Sequence, residues 1–163
     1  MKIRTDRLVI RNFRRKNAGE LKEIAKDFNL SEYAVYDRPL PENDEDVKAL
    51  AERFARSKTA FAVYCAEQMI GYAVFHKVEN GYDVGYCFHS SCHGKGYAYE
   101  SLKALINYFA DKYKVNVFTA GTALKNIPSC RLLEKLGFQR VSEEQVSFDG
   151  KFYFQGGNFV LKI

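Results

Sequence analysis

With 163 residues, 47% of them apolar and 15% aromatic, the chain has the size and composition of one globular domain rather than a disordered segment. A net charge of +5 favours anionic ligands mildly, but Lys and Arg are scattered rather than striped, which argues against a nucleic-acid surface. The four cysteines make no C-x-x-C pair, Met1-Lys2-Ile3-Arg4-Thr5-Asp6 has no apolar leader core, and no run approaches the ~20 apolar residues of a membrane span. These features predict a soluble cytoplasmic protein in a reducing compartment, without a membrane partner.

In chain order, Arg7–Phe13 reads as a strand, with Leu8 and Ile10 alternating against Arg7 and Arg11. A helix follows from Asn17, carrying Leu21, Ile24, Ala25 and Phe28 at helical spacing. The stretch Asn29–Asn43 holds two prolines and mixed aromatics and reads as an irregular loop. Asp44, Glu45 and Asp46 suit the positive end of a second helix, whose face is Val47, Leu50, Ala51 and Phe54. Strands are predicted at Ala60–Ala66, Ile70–Val78 and Tyr82–Phe88, joined by turns at Glu67-Gln68-Met69 and at Glu79-Asn80-Gly81. Asn80-Gly81 is the hairpin signal, because both residue types tolerate positive φ.

A helix over Tyr97–Tyr113 stacks Ala98, Leu102, Leu105, Ile106 and Phe109 on one stripe. A strand at Lys114–Thr119 leads to a helix over Ile127–Leu136, which Gly137 ends. Strands Phe138–Phe148 and Lys151–Ile163 surround the turn Asp149-Gly150. The sum is a single α+β domain, with a mixed, mostly antiparallel sheet of about seven strands and about four helices. The unpaired sheet edges leave a homodimer open. Phe152-Tyr153-Phe154 could serve as its interface or equally well as core.

Between the strand Tyr82–Phe88 and the helix Tyr97–Tyr113 lies His93-Gly94-Lys95-Gly96-Tyr97-Ala98. A glycine-rich turn opening a helix presents bare N–H groups at the positive end of the helix dipole, which suits a phosphate. Lys95 is followed by Gly96 and Tyr97, so no hydroxyl is placed for the Mg²⁺ of a P-loop. Tyr99 occupies the third glycine position of a dinucleotide fingerprint, and the preceding strands form a meander rather than a parallel unit. What remains is a pyrophosphate held by successive backbone N–H groups without a metal, or a plain tight connection.

The turn is followed by Asn126-x-x-Ser129-x-x-x-x-Glu134-Lys135-x-Gly137-Phe138. In this order, with Thr5-Asp6-Arg7-Leu8-Val9-Ile10-Arg11 at the start and Asp83-Val84-Gly85-Tyr86 before the turn, the chain resembles the GNAT acetyltransferases. Within them it is most similar to the branch that acetylates ribosomal-protein N-termini. His93 departs from the pattern, which has Gln or Arg there, and reads as a polar turn residue.

The resemblance implies acetyl-CoA as co-substrate, bound where the strand Tyr82–Phe88 and the strand after it splay apart. Tyr86, Cys87 and Phe88 would offer backbone hydrogen bonds to the pantetheine arm and thioester. His93, Gly94, Lys95, Gly96, Tyr97 and Ala98 would form the pyrophosphate turn. Asn126 would bond the arm or cap its helix. Family members often place a tyrosine where this chain has Leu133, and Ser129 is the substitute that could protonate the departing thiolate. Asp83 is the first candidate for general base, ahead of Glu79 and Glu67. The acceptor is a primary amine, on a protein N-terminus or on a small molecule, and Tyr33, Tyr36 and Arg38 fit several. A CoA-binding module without transferase activity is the alternative.

Overall fold

The computed structural model describes residues 1–163. Eight strands form one sheet: β1 (Lys2–Arg4), β2 (Leu8–Asn12), β3 (Ala60–Cys65), β4 (Gln68–Val78), β5 (Gly81–Phe88), β6 (Val117–Ala123), β7 (Gln139–Val146) and β8 (Phe154–Lys162). Four helices, α1 (Ala18–Asn29), α2 (Asp44–Ser57), α3 (Tyr97–Tyr113) and α4 (Ile127–Lys135), cover it. The strand order is β1-β2-β3-β4-β5-β6-β8-β7, antiparallel throughout except where β5 meets β6 in parallel.

Both faces of the central strands are covered, so β3 and β4 read as nearly continuous apolar runs. Phe61, Val63, Ala73 and Phe75 face α3 and α4, in a core of 19 buried residues. Ala60, Ala62, Tyr72 and Val74 face α1 and α2, in a second core of 12. The larger core is centred on Phe109, whose ring stacks on Phe75 with centroids 4.3 Å apart and meets Phe61 edge-on at 5.9 Å. Asn43 caps α2, its side chain accepting from the Asp46 N–H at 2.9 Å.

The mixed α+β sheet follows the sequence reading, with several differences in detail. β1 is an additional edge strand, short and paired only with β2. Glu79 and Asn80 make the β4–β5 reversal, neither with positive φ, and Gly81 is already paired with Val78. Gly81 is required for another reason: a Cβ there would lie 1.9 Å from the carbonyl oxygen of Val117, where β6 begins. β6 starts three residues after Lys114, because Lys114 ends α3 in the left-handed conformation (φ 54°). Ala66, with φ 53°, turns β3 into β4. Within the Asn29–Asn43 loop, Ala34–Tyr36 form a single 3-10 turn. No helix is long and apolar enough to cross a membrane.

Candidate active site

The parallel pairing of β5 with β6 consists of Tyr82 with Phe118 and Asp83 with Thr119, after which the strands part. Backbone polarity alternates along a strand, and this decides what the parted edge presents. The His89 N–H bonds the Ile70 carbonyl at 2.9 Å, and Cys87 stands opposite Tyr72. Cys87, Gly85 and Asp83 therefore turn their backbone groups toward β4. Val84, Tyr86 and Phe88 turn theirs into the gap, where beyond the Asp83–Thr119 pair no strand meets them, although the Phe88 carbonyl is taken by His93 Nε2. The gap opens into a cleft of about 1030 Å³, lined by β5, the glycine turn, the start of α4 and the α1–α2 loop.

The glycine turn sits at one side of this cleft. Gly94 and Gly96 have φ of +73° and +78°, so the turn uses the left-handed freedom of glycine at both places. The first amide of α3 with a backbone partner is Glu100, which bonds the Gly96 carbonyl at 3.0 Å. The N–H groups from Gly94 to Tyr99 have no acceptor in the protein, and they cluster at the positive end of a 17-residue helix. Arg131 and Lys135, from the facing side of α4, also line the cleft.

The turn is held from outside by the β1–β2 connection. Arg7 donates from Nη1 to the Lys95 carbonyl at 2.8 Å and from Nε to Glu100 Oε2 at 2.7 Å. Its guanidinium lies 4.6 Å from the centre of the Tyr97 ring. Thr5 Oγ1 donates to Glu100 Oε1 at 2.5 Å, and the Arg7 N–H reaches the same oxygen at 3.0 Å. Burial pushes the Glu100 carboxyl up, but the bonds from Thr5 and Arg7 outweigh it and leave the group below its ordinary pKa.

Across the gap, Asn126 lines the cleft and caps α4, its Oδ1 accepting from the Ser129 N–H at 3.2 Å. Ser129 Oγ lies 2.8 Å from Tyr86 Oη, bridging β5 and α4. Burial pushes the Tyr86 phenol up to about 12, against the lowering effect of the Ser129 bond. His93 is more than a polar turn residue: its Nε2 is 2.9 Å from the Phe88 carbonyl, tying the end of β5 to the turn.

Tyr86, Phe88, His93, Gly94, Gly96, Tyr97, Ala98, Asn126 and Ser129 thus share one cleft. Lys95 points elsewhere, contributing its backbone to the turn and its carbonyl to Arg7. Cys87 lines the cleft through its side chain, not its backbone, and burial pushes its thiol up to about 12. Asp83 is not brought to the cleft. It sits at the closed end of the gap, accepting from Thr119 Oγ1 at 2.8 Å, because β5 and β6 are still paired there. Leu133 is fully buried in the core.

The acidic side chains that do line the cleft are Asp27, Glu32 and Asp37, from α1 and the loop after it. Asp27 is engaged by the Ser90 N–H at 2.8 Å and by Ser90 Oγ at 2.5 Å. Asp37 accepts only from the neighbouring Arg38 N–H at 2.7 Å. Desolvation lifts the Asp37 carboxyl above its ordinary range, against the Arg38 N–H and charge. Tyr36 beside it packs on Phe154 at 5.3 Å and Phe152 at 6.2 Å, so the β7–β8 turn supports this wall. Asp37 carries no local motif, and only the folded loop reveals it.

A parted β5–β6 edge beside a glycine turn at a helix start agrees with what comparison finds. The family profile described as acetyltransferase (GNAT) domain matches residues 7–139. The chain belongs to the GNAT acetyltransferase family. It is 31% identical to the uncharacterized N-acetyltransferase YnaD of Bacillus subtilis over 148 residues, 86% of this chain and 84% of that protein. A GNAT-family acetyltransferase structure from Bacillus anthracis superimposes with a TM-score of 0.86, at 25% identity, over 99% of this chain and 98% of that one. RimL, a ribosomal L7/L12 α-N-protein acetyltransferase solved with coenzyme A, shares the fold with a TM-score of 0.88 at 17% identity, over 100% of this chain and 98% of that one. This GNAT chain therefore has the fold of the N-acetyltransferases along its whole length.

Proposed function

We propose that the chain transfers an acetyl group from acetyl-CoA to a primary amine, on a protein N-terminus or on a small molecule. The observation that carries this is the joining of two anion- and amide-binding features in one cleft: the unpartnered amides from Gly94 to Tyr99, and the free edge of β5. The turn and the cations of Arg131 and Lys135 suit the phosphates of CoA, and the edge at Val84 and Tyr86, with the Phe88 N–H, suits the amides of its pantetheine arm. Acetyl-CoA supplies the activated acetyl group.

The residues do the rest. The Phe88 N–H faces the gap and can donate to the negative charge that grows on the acetyl oxygen. Ser129 donates toward the departing sulfur. Asp37 accepts the proton of the amine in place of Asp83, its raised pKa being the direction a proton acceptor needs. Keeping an α-amine of pKa ~8 neutral at pH 7 costs only about 1–1.5 kcal/mol, against about 4–5 for a lysine. An N-terminal amine thus suits a site with a single modest carboxylate.

The test is CoA release from acetyl-CoA with a panel of peptides and small amines. Turnover with any of them supports the transferase reading and names the acceptor. Tight CoA binding with no release from any amine would make the chain a CoA-binding module instead.

A further inference from the structure

Tyr86 Oη and Ser129 Oγ, 2.8 Å apart, have no other hydrogen-bond partner within the protein. They come from opposite sides of the gap, 43 residues apart in sequence, and both line the cleft. The Tyr86 ring packs against the core cluster that contains Leu133 and Phe138, so its position is set by apolar packing and its hydroxyl is delivered to one place. A hydroxyl has one hydrogen to give. If Ser129 directs its own into the cleft, its oxygen must accept, and Tyr86 is the donor in reach. The bridge then becomes a chain running from Tyr86 O–H to Ser129 O–H to the cleft.

We propose that Tyr86 is a positioning residue for acyl transfer, donating to Ser129 so that the serine hydrogen points at the sulfur of CoA. This rests on the reading of the cleft as an acetyl-CoA site. In the transfer, the carbon–sulfur bond breaks with its electron pair going to sulfur, and a carbon–nitrogen bond forms. The proton lost by the acceptor nitrogen goes to the Asp37 carboxylate, and CoA leaves as the thiolate, its charge held by the hydrogen bond from Ser129. Tyr86 gives up no proton: burial pushes its phenol up to about 12, above the ~8.5 of an ordinary thiol. It works as a donor that strengthens Ser129, since hydrogen bonds in series polarise one another.

The test titrates the thiol of bound CoA through its thiolate absorbance, in wild type, Tyr86→Phe, Ser129→Ala and the double variant, so no acceptor is needed. Tyr86→Phe keeps the ring and its packing, and a thermal melt checks the fold. Expected are a lowered thiol pKa in wild type, a rise of about one pH unit in Ser129→Ala, a smaller rise in Tyr86→Phe, and a double variant equal to Ser129→Ala alone. With an acceptor present, kcat of Tyr86→Phe falls about 3- to 10-fold while the CoA Kd stays within about twofold. Bound CoA with the same thiol pKa in wild type and Tyr86→Phe would overturn the proposal. So would a Tyr86→Phe shift of equal size in the Ser129→Ala background. A wild type that binds no CoA would instead overturn the acetyl-CoA reading on which the proposal stands.

Discussion

The Arg7 side chain donates to the carbonyl of Lys95 at 2.8 Å, so a residue next to the second strand holds the glycine turn from 88 residues away. With Glu100 and Thr5 it closes a network around the first turn of α3. The carbonyl of Lys95 is thereby engaged, while the N–H groups of the turn keep no partner in the protein. Arg7→Ala should weaken acetyl-CoA binding about 10-fold, the loss of roughly one charged hydrogen bond, with kcat at saturation little changed. Direct binding measurements on the variant check this.

The same network predicts a pH dependence. The Glu100 carboxyl is held below its ordinary pKa in the fold, so its stabilising contribution is complete above the unfolded value, ~4.3, and is lost as pH falls through the folded one. Urea midpoints measured from pH 7 down to about 3.5 should fall less steeply for Glu100→Gln than for wild type. Equal slopes would remove Glu100 from the acid response.

Ser129→Ala should lower kcat about 10- to 100-fold and leave the acetyl-CoA Kd within about twofold, since the role proposed for the hydroxyl is at the departing sulfur. Asp37→Asn should instead lower kcat/KM for the amine about 10-fold and move the acidic limb of its pH profile. Steady-state kinetics over pH separate the two.

Gly71 tests the packing behind β5. A Cβ there would lie 2.4 Å from the Phe88 ring and 2.7 Å from the Cys87 carbonyl oxygen. Gly71→Ala should cost about 1–3 kcal/mol of stability and lower the melting temperature by several degrees. It should also weaken CoA binding, since the Phe88 N–H belongs to the edge proposed to meet the pantetheine arm.

What could be read in the sequence follows the range of the interactions. Helical stripes, the apolar strands and the glycine turn are local patterns, and α3 begins and ends at Tyr97 and Tyr113 as its periodicity predicts. The start of β6 is displaced because Lys114, without a glycine signal, takes the left-handed helix end. Asp83 is a candidate base only through the resemblance, and its placement depends on where β5 and β6 part, which no local pattern encodes. The Tyr86–Ser129 bridge, the Arg7 network and the placement of Asp37 are likewise products of contacts distant in the chain.

Titration calorimetry with acetyl-CoA on wild type and Gly96→Trp probes the glycine turn itself. Gly96 has φ +78° and a Cβ there would already lie 3.3 Å from Arg7 Nη2, so an indole both strains the turn and fills it. Micromolar binding by wild type, absent from a variant that circular dichroism shows to be folded, is the predicted result. A folded wild type that takes up no acetyl-CoA, or a variant that binds as well as wild type, would contradict the assignment of this cleft to acetyl-CoA.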